Sequence, residues 1–137
     1  MKVLYTAEAS ATGDGRNGHV TSSDRLIDTD VRSPVELGGK GGATNPEQLF
    51  AAGYAGCFHS SLKAAARGLG VTLDGTSVTV SVGLLKEDGA FSLAVTITAD
   101  LPGTAREQGE QLLDLAHQRC PYSKATRGNI AVDLVLA

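Results

Sequence analysis

The segment Asn45-Pro46-Glu47-Gln48, followed by an apolar run, constrains this chain more than any other feature. Asn45 suits a helix N-cap, Pro46 the first helical position, and Gln48 the third position of a capping box. The helix is expected to run to about Arg67, where Gly68 and Gly70 supply stop signals. Leu49 through Phe58 carries no charge. A helix that is apolar all round is a buried central one, so the rest of the chain has to wrap it. Gly53 and Gly56 weaken helix propensity, and close approach of another helix or strand would compensate.

The flanking segments read mostly as strands. Val3–Ser10, His19–Ser22 and Leu26–Val31 form an opening hairpin or meander, with a dense turn signal at Gly13–Gly18. The glycine-rich stretch Leu37–Gly42 lacks the Gly-Lys-Ser/Thr order of a phosphate loop and reads as a connector. Two further strands, Ser77–Leu85 and Ala90–Leu101, turn at Glu87-Asp88-Gly89. A second helix is expected from Thr104, with Glu107 as its capping partner and Leu112, Leu113, Ala116 and Cys120 on one face, ending at Pro121. Asn129–Leu136 alternates and closes the chain as a strand. The expected fold class is α+β: a mostly antiparallel sheet with two main helices, one central and buried, in a single domain over residues 1–137.

Net charge is −3, with no Lys/Arg cluster, so nothing suggests nucleic acid. No apolar run approaches the roughly 20 residues that span a bilayer, and no signal-peptide pattern follows Met1. A cytoplasmic protein with no membrane partner is therefore expected. There are two cysteines. In a reducing compartment, paired thiols are more often catalytic or redox-sensing than a structural disulfide. Two distant cysteines with only His19, His59 and His117 make poor zinc spacing, so no metal is expected. Buried cysteines also serve as small hydrophobes, and spacing alone leaves that reading open. Cys57 lies about three turns into its helix, beyond reach of the N-terminal dipole, and its i±3 and i±4 neighbours are Gly53, Tyr54, Ser60 and Ser61. A reactive thiolate there needs a cation from elsewhere. Arg16, Lys40 and Arg127 are the candidates, and composition does not choose among them.

The stretch Asn45-Pro46-Glu47-Gln48-Leu49-Phe50-Ala51-Ala52-Gly53-Tyr54-Ala55-Gly56-Cys57-Phe58 resembles the central motif of the organic hydroperoxide resistance proteins, the Ohr branch of the OsmC/Ohr family. His117 to Ile130, containing Cys120-Pro121-Tyr122-Ser123, resembles the second motif of that branch, and Leu4-Tyr5-Thr6-Ala7 and Leu37-Gly38-Gly39 also fit. The resemblance runs essentially end to end. It implies an OsmC-like fold in an intertwined homodimer, and a thiol peroxidase acting on organic hydroperoxides, fatty-acid ones included. By the same resemblance, Cys57 is the peroxidatic cysteine and Cys120 the resolving one. Arg16 and Glu47 are the conserved pair that activates the sulfur. No resident cofactor is implied. The external reductant is a lipoyl dithiol, dihydrolipoamide or a lipoylated protein. The glycines around Arg16 depart slightly from the family pattern, with Asp14 between Gly13 and Gly15.

Glu47 and Cys57 are ten residues apart, roughly 15 Å along one helix, and helical side chains lean toward the N-terminus, so Glu47 points away from the sulfur. Antiparallel packing of two such helices about a dimer two-fold would bring Glu47 of one subunit to Cys57 of the other. A composite site is therefore expected, with Glu47 and Arg16 donated in trans. Phe50, Phe58 and Tyr122 are candidate pocket residues, each equally compatible with plain core.

Overall fold

The computed structural model describes residues 1–137, which divide into two compact units, Met1–Leu49 and Phe50–Ala137.

The first unit is a three-stranded antiparallel sheet of β1 (Ala9–Asp14), β2 (Asn17–Ser22) and β3 (Asp28–Val31), with β2 in the middle. The strand expected over Val3–Ser10 begins only at Ala9. Val3, Leu4 and Tyr5 are exposed and have no strand of their own chain to pair with. The ladder instead continues to Asp14 opposite Asn17, which leaves a two-residue loop, Gly15-Arg16. Gly15 sits at φ +67°, the requirement for the first central residue of a tight hairpin loop, and Arg16 occupies the second. A 3-10 turn at Val35–Leu37 leads through the glycine-rich connector to the first turn of helix α1, which spans Pro46–Gly68.

His19 on β2 lies between two carboxylates of β3, with Nδ1 2.8 Å from Asp30 and Nε2 2.6 Å from Asp28. The hydrogen bonds that His19 donates to Asp30 and then Asp28 hold its pKa above the usual value, and the same bonds hold both carboxyl groups below theirs. The histidine contribution is complete below ~6.5 and is lost as pH rises through its raised pKa. The carboxylate contribution is complete above ~3.9 and is lost as pH falls through the lowered values. Amide protection of Asp28–Val31 is therefore expected to peak between about pH 4 and 6.5 and to fall on either side. A pH-independent protection factor would show that the cluster does not clamp β3.

The second unit holds the rest of α1, then β4 (Ser77–Glu87), β5 (Ala90–Asp100), α2 (Arg106–Arg119), α3 (Pro121–Thr126) and β6 (Val132–Leu136). Strands β4 and β5 form a hairpin whose two loop residues, Asp88 and Gly89, both have positive φ, as a tight primed turn requires. β6 adds parallel to β5, reached by the helical crossover that parallel neighbours need. One face of this sheet, including Val80, Val95, Ile97 and Ala99, packs with Tyr54, Phe58 and Leu62 of α1 and with Leu112, Leu113 and Ala116 of α2.

Asn45 caps α1 as expected, its Oδ1 accepting the Gln48 N–H at 2.9 Å. Gln48 does not return the bond to Asn45; its Oε1 accepts the hydroxyl of Thr44 instead. Helix α2 begins at Arg106, later than expected, with Ala105 at the cap and no side-chain capping bond. Pro121 does end α2, but it also starts a new helix: a missing N–H costs nothing at a first helical position. α1 is not covered all round within the chain, because Ala52, Gly56 and Ser60 form an exposed stripe at i, i+4 spacing.

Candidate active site

Two constellations stand out, one in each unit. The first is an ion pair. The hairpin loop presents Arg16, and the first turn of α1 presents Glu47, where a carboxylate is favoured by the helix dipole. Arg16 Nη1 donates to Glu47 Oε2 at 2.9 Å and Nη2 to Oε1 at 2.6 Å, a planar two-bond fork. The Glu47 side chain is only 15 % exposed, against 40 % for Arg16. Arg16 holds the Glu47 carboxyl below the usual carboxylate range despite its partial burial, and Glu47 raises the arginine pKa in return. The fork fixes the guanidinium plane while Nε–H and the outer hydrogens remain unengaged by Glu47. Such a group is a rigid donor for an anion.

The second constellation is the sulfur pair. Cys57 lies on α1, and Cys120 sits where α2 gives way to α3. Both are free thiols, and the Cys120 thiol, with no solvent exposure, donates to Cys57 Sγ at 3.3 Å. A disulfide bond is about 2.05 Å long, so the sulfurs stand in contact but unbonded. Burial pushes the Cys57 thiol up, and the Cys120 sulfur pushes in the same direction, while the Tyr122 backbone N–H favours the thiolate. No cation of this unit is among the groups that act on Cys57. Arg127 is engaged elsewhere, donating to the His117 carbonyl at 2.7 Å. Lys40, in the first unit, is exposed.

Pro121 and Tyr122, which follow Cys120 in sequence, help line an open cleft of about 770 Å³ whose walls also include Phe50, Phe91, Leu93 and Ile130. Tyr122 of α3 lies against Gly53 of α1, where a Cβ would come within 2.9 Å of its hydroxyl, so this glycine makes room for a ring carried by another helix. A Cβ at Gly56 would meet nothing. Of the three aromatic candidates, Phe50 and Tyr122 line the cleft. Phe58 does not: it is wholly buried in the core. No cluster of three or more His, Cys, Asp or Glu side chains is arranged to hold a metal ion.

Sequence reasoning did not find a polar chain that links His117, Ser123, Tyr54 and Thr126 within the second unit. The signal was available in Pro121: read as the start of a helix, it places Ser123 and Thr126 one turn apart on a single face.

The sequence profile of the OsmC-like proteins matches residues 39–135. This chain belongs to the OsmC/Ohr family. It is 51% identical over 138 residues to an organic hydroperoxide resistance protein of Xanthomonas axonopodis pv. citri, covering 99% of this chain and 96% of that one. It is 44% identical to the organic hydroperoxide resistance protein OhrB of Bacillus subtilis, over 97% of this chain and 98% of the relative. The crystal structure of an organic hydroperoxide resistance protein from Legionella pneumophila superposes with a TM-score of 0.94 at 47% identity, covering 99% of both chains. These likenesses place the chain in the Ohr branch and give it the OsmC α+β fold. No helix is long and apolar enough to cross a membrane.

Proposed function

We propose that this protein is a thiol peroxidase that reduces organic hydroperoxides, fatty-acid hydroperoxides included, to alcohols, and that residues 1–137 work as a single OsmC/Ohr-type domain. The 3.3 Å contact between Cys57 and the fully buried Cys120 is the observation that carries this reading. The names of the relatives, matched along nearly their whole length, support it.

Cys57 as thiolate attacks the terminal oxygen of the hydroperoxide; the O–O bond breaks, the alkoxide takes a proton and leaves as the alcohol, and Cys57 becomes a sulfenic acid. Cys120 then attacks that sulfur. An S–S bond forms, the S–O bond breaks, and hydroxide leaves as water with the Cys120 proton. A lipoyl-type dithiol, dihydrolipoamide or a lipoylated protein, reduces the disulfide by thiol exchange and is itself oxidised to its cyclic disulfide. No resident cofactor takes part. The apolar cleft at Phe50 and Tyr122 receives the organic tail, which favours bulky peroxides over hydrogen peroxide.

Burial, and then the neighbouring Cys120 sulfur, raise the Cys57 pKa, so the first step needs a cation. Arg16, held by Glu47, supplies it. The protein works as a homodimer in which a second copy covers the exposed Ala52-Gly56-Ser60 stripe, and the Arg16–Glu47 pair of each subunit serves Cys57 of the other. We place it in the cytoplasm, where thiols stay reduced.

The test is peroxide consumption with excess dihydrolipoamide. Faster turnover of an organic hydroperoxide than of hydrogen peroxide is expected. No turnover with any dithiol would overturn the reading in favour of a sensor or binding domain.

A further inference from the structure

The polar chain next to the sulfurs has a direction that its own geometry fixes. Thr126 Oγ1 lies 3.2 Å from the Ser123 carbonyl, which can only accept, so the Thr126 hydroxyl hydrogen is spent there. Thr126 Oγ1 must then accept at 3.0 Å from the Tyr54 hydroxyl. Tyr54 has no second hydrogen, so at 2.8 Å it accepts from Ser123 Oγ. Ser123 in turn accepts at 2.8 Å from His117 Nδ1, which must carry a hydrogen. The tautomer of His117 follows: Nδ1 is the protonated nitrogen in both charge states, and Nε2 is the one that titrates. Tyr54 and Ser123 have no solvent exposure and Thr126 has 6%, and no buried side-chain polar atom lacks a partner. A chain so completely satisfied and so deep is rigid.

Its position gives that rigidity a use. Tyr54 precedes Cys57 by three residues on α1, and Ser123 follows Cys120 by three. The Tyr54–Ser123 bond therefore ties α1 to α3 one helical turn from where the sulfurs meet. Closing the sulfurs from 3.3 Å to a bond of about 2.05 Å demands little movement, provided the two helices keep their register. We propose that His117, Ser123 and Tyr54 form a latch that holds Cys120 in register with Cys57, as positioning residues for disulfide closure and not for the attack on peroxide.

This inference rests on the peroxidase reading above. It matters because a Cys57 sulfenic acid that waits too long reacts with a second peroxide molecule: the new oxygen bonds to sulfur, an alcohol leaves, and a sulfinic acid remains. The latch shortens that wait.

The experiment separates the two steps in the full-length protein. Stopped-flow measurement follows loss of the Cys57 thiolate, and quenched samples read by intact-protein mass spectrometry follow sulfenic acid, disulfide and sulfinic acid. Tyr54→Phe and His117→Leu are expected to leave the first step within about twofold and to slow disulfide closure about tenfold, near the upper end of what one buried hydrogen bond supplies. Cys57 sulfinic acid should accumulate in step with the delay. His117→Asn, which returns an N–H donor near Nδ1, should recover most of the closure rate. His117 is only partly buried, so its variants keep the test open if Tyr54→Phe fails to fold. Closure at the wild-type rate in His117→Leu, or equal slowing of both steps, would overturn the latch while leaving the peroxidase reading intact. A wild-type protein that forms no disulfide with peroxide would overturn both.

Discussion

Replacing Cys57 by serine is expected to abolish organic-hydroperoxide turnover, by on the order of a thousandfold or more, because a hydroxyl of ordinary pKa is not ionised and is a poor nucleophile toward peroxide oxygen. Cys120→Ser is expected to behave differently. Its first turnover should proceed, since the attacking sulfur is untouched, and the sulfenic acid should then persist, oxidise further or be captured by external thiol. Stopped-flow oxidation with one equivalent of peroxide distinguishes the two variants: none of the fast phase in Cys57→Ser, a full fast phase without disulfide in Cys120→Ser. The asymmetry follows from placement. Cys57 is partly exposed, whereas Cys120 has no exposure and stands in contact with the Cys57 sulfur. A fast phase that survives Cys57→Ser but is lost in Cys120→Ser would reverse the two roles.

Most of the fold was legible in the sequence because its local signals agree. The Asn45-Pro46 start, the Asp88-Gly89 turn and the alternation in β4 and β5 each name one structure, and each is present. The misreadings have a common physical cause: the local signal was sound but a non-local partner decided its meaning. Val3–Glu8 carries strand-forming residues yet forms no strand, since no strand of its own chain lies alongside. Gly56, by contrast with Gly53, has nothing of its own chain against it, so its signal of close approach finds no partner within the chain. Ala52 and Gly56 belong to a segment apolar enough for full burial, and the chain alone leaves them uncovered. For the candidate site, family resemblance named Cys57, Cys120, Arg16 and Glu47; their spacing carries no hint that Arg16 closes a fork on Glu47 across 31 residues. The hydroxyl network was missed because Pro121 reads locally as the end of α2, and only as the first residue of α3 does it set Ser123 and Thr126 on one face, within reach of His117 and Tyr54.

The proposed composite site makes a quantitative prediction that no single-subunit site can imitate. Arg16→Ala and Cys57→Ser homodimers should each be nearly inactive, the first because no cation then opposes the burial and the Cys120 sulfur that push the Cys57 thiol up, the second because it has no nucleophile. Unfolding and refolding the two together in equal amounts gives a statistical mixture in which about half the dimers are mixed. If Arg16 and Glu47 act in trans, each mixed dimer has one site with an intact Cys57 and an intact Arg16, and another with neither. Activity should then recover to about a quarter of the wild-type value. If the residues act in cis, every site in the mixture lacks one group, and activity stays at the level of the parents. Glu47→Ala in place of Arg16→Ala should give the same recovery, because the carboxylate fixes the guanidinium within its own chain at 2.6 and 2.9 Å. Recovery with the arginine variant but not the glutamate variant would separate the fork from the cation it holds. A mixture that recovers nothing while exchanging subunits freely, as judged by mass-labelled chains, would return both residues to the subunit that carries the sulfur.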